Sequence, residues 1–166
     1  ALGRQSNTNS KANSVALGYL SKVERYGEVV KTADGSGSPK YLKSEVQWFG
    51  QTNGSAQTEI FLNGSNQRCV IISQSSITFT ILLTARNNSL NKTKSWKIEG
   101  SIQRNSSNYT SLVGSINKTI IADSGTNWDV SVEADDSNEA LVIKVSGEDD
   151  AIIRWHAVGI FSEVRF

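Results

Sequence analysis

From residue 44 onward, apolar and polar side chains alternate with a period of two. Ile77, Phe79, Ile81, Leu83 and Ala85 alternate with Thr78, Thr80, Leu82 and Thr84. Trp96, Ile98, Gly100 and Ile102 alternate with Lys97, Glu99, Ser101 and Gln103. The same rhythm runs through Trp128, Val130 and Val132, through Leu141, Ile143 and Val145, and through Ile153, Trp155, Ala157, Gly159 and Phe161. Alternation of this kind predicts strands with one face packed and the other wet. Ser44–Phe49 and Gln57–Leu62 read as strands joined across Asn53-Gly54, Asn63-Gly64 as a tight turn, and Cys69–Ser73 as a short apolar strand. Asp135–Asn138 and Gly147–Asp150 are polar turns, which predicts that the last three strands form an antiparallel meander. No segment carries a helical stripe. The pattern therefore predicts an all-β fold, an antiparallel β-sandwich of jelly-roll-like type.

The first 30 residues follow a different rule. Ala1-Leu2-Gly3 returns as Ala16-Leu17-Gly18, Ser6 as Ser21 and Val15 as Val30. The spacing is that of a stacked repeat, and two copies are too few to bury a solenoid core alone. Other chains are expected to supply the missing packing surface, with Leu2, Val15, Leu17 and Val30 as the packing residues. An opening inside a repeat is what a piece of a longer polypeptide would show. Residues 31–43, with Asp34-Gly35, Gly37 and Pro39 close together, read as a linker or loop. The predicted organisation is a repeat segment at 1–30, a linker at 31–43 and a sheet domain at 44–166.

Composition narrows the function classes. Ser, Thr and Asn make up 49 of 166 residues, so the seven Asn-x-Ser/Thr sequences arise from abundance and carry no argument for secretion. No apolar run approaches the roughly 18 residues that span a bilayer, so membrane insertion is not expected. One Cys and one His exclude a disulfide framework and a Cys- or His-rich metal centre, and no cofactor or metal is expected. The net charge of +1 hides an asymmetry: residues 46–121 carry 7 basic and 2 acidic residues, and residues 122–166 carry 3 and 10. The basic residues are scattered singly among small polar ones, unlike the aromatic-interleaved stripe of a nucleic-acid binder. The opposed blocks predict either two solvated faces or charge complementarity between copies.

Catalytic handles are sparse. His156 is expected on the outer face of the final strand beside Arg154, without an orienting acid or a nucleophile. Cys69 opens the apolar run Val70-Ile71-Ile72 and reads as a buried small hydrophobe. Asp135/Asp136 and Asp149/Asp150 read as turn chemistry rather than as the separated carboxyls of a glycosidase. Asp123–Asp129 alternates oxygen ligands as a calcium loop does, yet lacks the distal bidentate Glu, so it reads as an ordinary turn. Trp96, Trp128 and Trp155 are predicted to be core, each indole N–H needing a partner. Tyr41, Trp48 and Tyr109 lie nearer predicted loops and are the aromatic candidates for stacking on a receptor sugar.

Several stretches resemble a known family. The Ala-Leu-Gly units, with small polar residues between, resemble the repeats of phage fibre shafts and of trimeric adhesin heads. Ser14-Val15-Ala16-Leu17-Gly18-Tyr19 followed by Arg25-Tyr26-Gly27-Glu28 resembles the point where such a shaft hands over to a terminal domain. Trp96–Gly100 with Ile102-Gln103-Arg104, Trp128–Asp135, Leu141–Gly147, and Ile153–Ala157 with Glu163-Val164 are similar to C-terminal domains of tailed-phage fibre or appendage proteins. The resemblance covers almost the whole chain. It implies a homotrimeric, non-enzymatic structural protein on the surface of a phage virion, a tail fibre whose tip attaches to a bacterial surface glycan or protein. The alternative is a head-fibre or decoration module that binds no receptor. No residues match a self-cleaving chaperone domain, so that activity is not carried over. A polysaccharide-degrading enzyme is the third and least supported class.

Overall fold

A computed structural model describes residues 2, 6–32 and 40–166 of the chain. Among them there are twelve strands and no helix, so the fold is all-β. The strands are β1 (Val15–Leu17), β2 (Val29–Lys31), β3 (Tyr41–Asn53), β4 (Thr58–Ile60), β5 (Cys69–Val70), β6 (Ser75–Asn87), β7 (Lys92–Arg104), β8 (Thr110–Leu112), β9 (Asn117–Asp123), β10 (Asp129–Asp135), β11 (Ala140–Ser146) and β12 (Ile152–Arg165). The larger sheet runs β1-β2-β3-β12-β6-β7-β8, with β9 also on β7. The smaller sheet runs β10-β11-β4, with β5 also on β11. β1 and β2 pair in parallel, and every other strand pair is antiparallel.

The inward faces of both sheets feed one buried cluster. Ile77, Phe79, Ile81, Leu83 and Ala85 of β6, Trp96, Ile98 and Ile102 of β7, and Ile153, Trp155, Ala157 and Phe161 of β12 come from the larger sheet. Val130 and Val132 of β10 and Leu141, Ile143 and Val145 of β11 face them from the smaller one. These are the positions that the alternation marks as apolar, which is consistent with the sandwich expected from it.

Connectivity departs from the expectation at three places. The chain leaving β3 at Asn53 does not fold back as a hairpin: β4 pairs with β11 in the other sheet, and only Phe61 bridges back to Phe49. β10 and β11 form the predicted hairpin, but β12 does not continue the meander. It crosses to the larger sheet and lies between β3 and β6, where 13 of its residues pair on each side. A strand bonded along both edges in this way leaves no ladder groups orphaned, which a place at the rim of the smaller sheet would not achieve. β8 and β9 are strands that the alternation does not reveal: β8 is only three residues long, and all seven residues of β9 are exposed.

The repeat stacks. Leu2 bridges Leu17 and Asn7 bridges Lys22, both in parallel and both at a spacing of 15 residues. Leu2 N–H donates to Ala16 O (2.8 Å) and Gly18 N–H donates to Leu2 O (2.9 Å). β1 then pairs with β2, and β2 with β3, so the repeat segment is continuous with the larger sheet. The expected linker is strand at both ends: Lys31 closes β2 and Tyr41–Lys43 opens β3, while 33–39 fall outside the described residues. Gly18 has φ +99°, and a Cβ there would meet the carbonyl of Thr32 on the next rung, which accounts for the glycine of the Ala-Leu-Gly unit.

Close packing predicts a sensitive position on β12. A Cβ added at Gly159 would sit 2.7 Å from Trp48 Cζ3 and 3.0 Å from Cη2. Both are ring atoms in a filled core. Gly159→Ala is expected to lower stability by about 1–3 kcal/mol through overpacking, read as a fall in the thermal midpoint. A midpoint equal to wild type would show that the Trp48 ring has room to move.

Candidate functional site

Two places concentrate chemistry: the junction between the repeat segment and the sheets, and the solvent-facing side of the larger sheet.

At the junction stands Arg25, whose side chain is fully buried. Its Nη1 donates to Glu28 Oε1 at 2.7 Å, Nη2 to Glu163 Oε2 at 3.0 Å, and Nε to Val70 O at 2.9 Å. The guanidinium also lies 5.6 Å from the Phe161 ring centroid. A planar fork with five donors suits this three-way demand, which an ammonium would not meet. Glu28 and Glu163 are likewise buried, and Glu28 Oε2 accepts from the backbone N–H groups of Glu24 and Arg25. Arg165 bonds Glu163 at 2.6 Å and Glu24 at 3.3 Å, which carries the network towards the surface at Lys22. Burial works against the Arg25 charge, but Glu163 and Glu28 outweigh it and hold its pKa above the ordinary value. Burial works against the Glu163 carboxylate too, and Arg25 and Arg165 outweigh it, leaving its pKa below the ordinary 4.5. The junction thus ties the repeat segment, the β5 region and the last strand together through one cation.

Cys69 sits in the same buried region. Burial pushes its thiol up to about 12, against the pull of Arg25. A thiol so protonated at neutral pH is a poor nucleophile. His156 is on the outer face of β12, as expected, where its Nε2 lies 3.2 Å from Gln47 Oε1. The two residues do not form a pair.

Asp135 does the expected turn chemistry, whereas Asp136 and Asp149 tie their turns to distant segments. Asp135 accepts from Asn138 N–H at 3.0 Å, Asp136 from Thr110 N–H at 2.6 Å, and Asp149 from the N–H and hydroxyl of Ser55. In the calcium-like stretch, Asp123 Oδ1 accepts from Gly125 N–H, Thr126 N–H and the Thr126 hydroxyl, while Oδ2 pairs with Lys94 at 2.9 Å. The Lys94 bond, with those from Thr126, lowers the Asp123 pKa to about 2. Both of its oxygens are engaged by the protein. The opposed charge blocks meet inside the chain: Lys94–Asp123, Lys92–Glu148, Lys118–Asp129 and Arg104–Glu139 each join the basic middle to the acidic end.

The aromatic candidates separate. Trp48 is buried in the middle of β3, edge-on to Phe161 at 6.1 Å, so it packs the core and is not available to a receptor. The strand expected over Ser44–Phe49 puts Trp48 near its end, whereas β3 continues to Asn53. Tyr41 and Tyr109 are exposed, at 64% and 56%. Both lie at the same end of the larger sheet, four strand spacings apart, or about 19 Å. Of the three core tryptophans, Trp155 donates to Thr52 Oγ1 (3.0 Å) and Trp128 to Glu148 Oε2 (3.1 Å). Trp96 N–H finds no partner among the described residues, and Lys94 stands over its ring at 5.4 Å.

The repeat residues separate as well. Val30 is buried with Ala16, Val23 and Leu42 in a small cluster within the chain. Leu17 is half-buried, and Leu2 and Val15 point outward, together with Tyr19 and Val29. Ala16, not Leu17, is therefore the fully buried member of its Ala-Leu-Gly unit, and of the bridged leucines only Leu2 is exposed.

Comparison with known families and curated proteins finds no match.

Proposed function

We propose that the chain is a structural protein of a phage virion fibre, assembled as a homotrimer, whose sheet domain forms a tip that attaches to a bacterial surface glycan or protein. One observation carries the reading. The 15-residue units stack as parallel rungs, and they bear Leu2, Val15 and Val29, all exposed in the single chain. An apolar stripe of this kind on a repeat segment calls for cover, and identical neighbouring chains would provide it along the whole segment. The stripe is continuous with the larger sheet through β2 and β3 and is held to it by Arg25, so a shaft would transmit load directly into the tip. Three identical sites on such a tip would act by avidity, and each could bind weakly.

The test is solution mass by light scattering across a size-exclusion peak, followed by adhesion to a panel of bacterial strains. The expected mass is three times that of the chain, with saturable adhesion to at least one strain. A monomer at all concentrations would overturn the fibre reading. A trimer that adheres to nothing would replace host attachment with a capping or decoration role.

A further inference from the structure

On the outer face of the larger sheet, Arg154 of β12 stands directly opposite Arg86 of β6. Like charges in direct cross-strand register are unfavourable unless something neutralises them. Among the described residues nothing does. Arg86 donates to Thr93 Oγ1 (2.9 Å) and Asn91 Oδ1 (2.6 Å), both neutral. Arg154 makes no ion pair or side-chain hydrogen bond among the described residues. Of the acids that precede β12, Glu148 turns to Trp128 and Lys92 and Asp149 to Ser55, and Asp150 forms no ion pair with either arginine.

Arg86 and Arg154 line a cavity of about 470 Å³, with Asn88, Ser89 and Ile152. That volume falls in the range of small-molecule sites, and among the described residues no carboxylate lines it. The lining is chemically mixed. The Arg154 fork suits a bidentate oxyanion, Arg86, held by Thr93 and Asn91, adds a second positive charge, the Asn88 amide offers further hydrogen bonds, and Ile152, 54% exposed, offers an apolar wall for the carbon face of a ring.

We propose that this cavity binds an oxyanion carried on a saccharide, such as the carboxylate of a uronic acid, with Arg86 and Arg154 gripping the anion and Asn88 contacting ring hydroxyls. The saccharide part rests on the attachment reading above. The oxyanion part rests on the unneutralised pair alone.

The test is calorimetry on the whole chain in low salt, with trigalacturonate, inorganic phosphate and neutral maltotriose as probes. Trigalacturonate is expected to bind at least tenfold more tightly than maltotriose. Binding should weaken with added salt and fall at least tenfold in R86Q/R154Q. R154Q is expected to raise the thermal midpoint in low salt, as relief of the repulsion requires, and a cooperative melt of R86Q/R154Q shows that the double variant folds. Equal trigalacturonate binding by wild type and R86Q/R154Q would overturn the proposal, as would no binding of either anion. Phosphate binding without trigalacturonate binding would overturn the saccharide assignment. Adhesion assays keep the two readings apart. If R86Q/R154Q adheres to bacteria as wild type does, this site fails and attachment stands. If the anion binds but wild type adheres to nothing, the site stands and attachment fails.

Discussion

Arg25→Met is expected to cost about 3–5 kcal/mol of stability, because it leaves the buried carboxylates of Glu28 and Glu163 without their shared cation. Urea unfolding at one fixed chain concentration measures it, since any oligomer makes stability depend on concentration. The loss comes less from the pair's net worth than from leaving the Glu28 charge without a cation and the Glu163 charge with Arg165 alone. R25M/E28Q/E163Q removes those charges and should therefore recover a large part of the loss. A wild-type midpoint for R25M would mean that solvent reaches the carboxylates and that the junction is not held by this residue. The same network carries a pH signature. The Glu163 pKa is held below its ordinary 4.5 in the folded chain. Its contribution to stability is complete above that value and is lost as pH falls through the lower folded value. Wild type should lose stability more steeply than E163Q below about pH 4.5, with the gap between them closing. The lowered Asp123, Asp129, Glu133, Asp135 and Asp149 titrate in both proteins and do not contribute to that difference. Parallel acid curves would remove Glu163 from the account.

Trp155→Ala is expected to destabilise by a similar amount, about 3–5 kcal/mol, which for a chain of this size is a fall in thermal midpoint on the order of 10 °C. Trp155 is the middle member of three packed indoles. Its ring stacks on Trp96 at 6.0 Å and 25°, and meets Trp128 edge-on at 6.1 Å and 61°. Trp96 and Trp155 belong to the larger sheet, and Trp128 leads into β10 of the smaller one, so the substitution opens a cavity where the two sheets meet. It also deprives the buried Thr52 hydroxyl of the indole donor. Trp155→Phe separates the two effects. It keeps most of the volume and loses the hydrogen bond, and should cost about 1–3 kcal/mol. Near-ultraviolet circular dichroism supplies an independent readout, because removing the middle ring uncouples its neighbours. A Trp155→Ala protein with wild-type stability would show that the sheets are held by other contacts.

The candidate sites were only partly legible. Arg25 and Glu163 are 138 residues apart, and no local pattern announces that they meet. Arg25-Tyr26-Gly27-Glu28 and Glu163-Val164 stood out as motifs, but their pairing depends on where β12 enters the larger sheet. The Arg86–Arg154 pair is likewise a matter of register: a shift of one residue between β6 and β12 would send one of the two to the opposite face. Tyr41 and Tyr109 remain exposed as expected, whereas Trp48 is buried because β3 extends beyond the stretch in which its alternation was recognised.

What could be read directly were properties that each residue carries with its immediate neighbours. In an extended chain the side-chain direction reverses at every step, so alternation assigns the inward set before any partner is known. Every second residue from Ile77 to Ala85 and from Ile153 to Phe161 is buried, as that alternation assigns. The repeat was legible for the same kind of reason, since equal spacing of Ala-Leu-Gly implies rungs of equal length, and Leu2 does bridge Leu17. β9 escaped because both of its faces are exposed, which leaves no alternation to detect. Partner choice belongs to the tertiary structure. Nothing local distinguishes a β12 that continues the β10–β11 meander from one that crosses between β3 and β6. That choice is decided by which arrangement satisfies both edges of a 14-residue strand while burying Trp155 against Trp96 and Glu163 against Arg25.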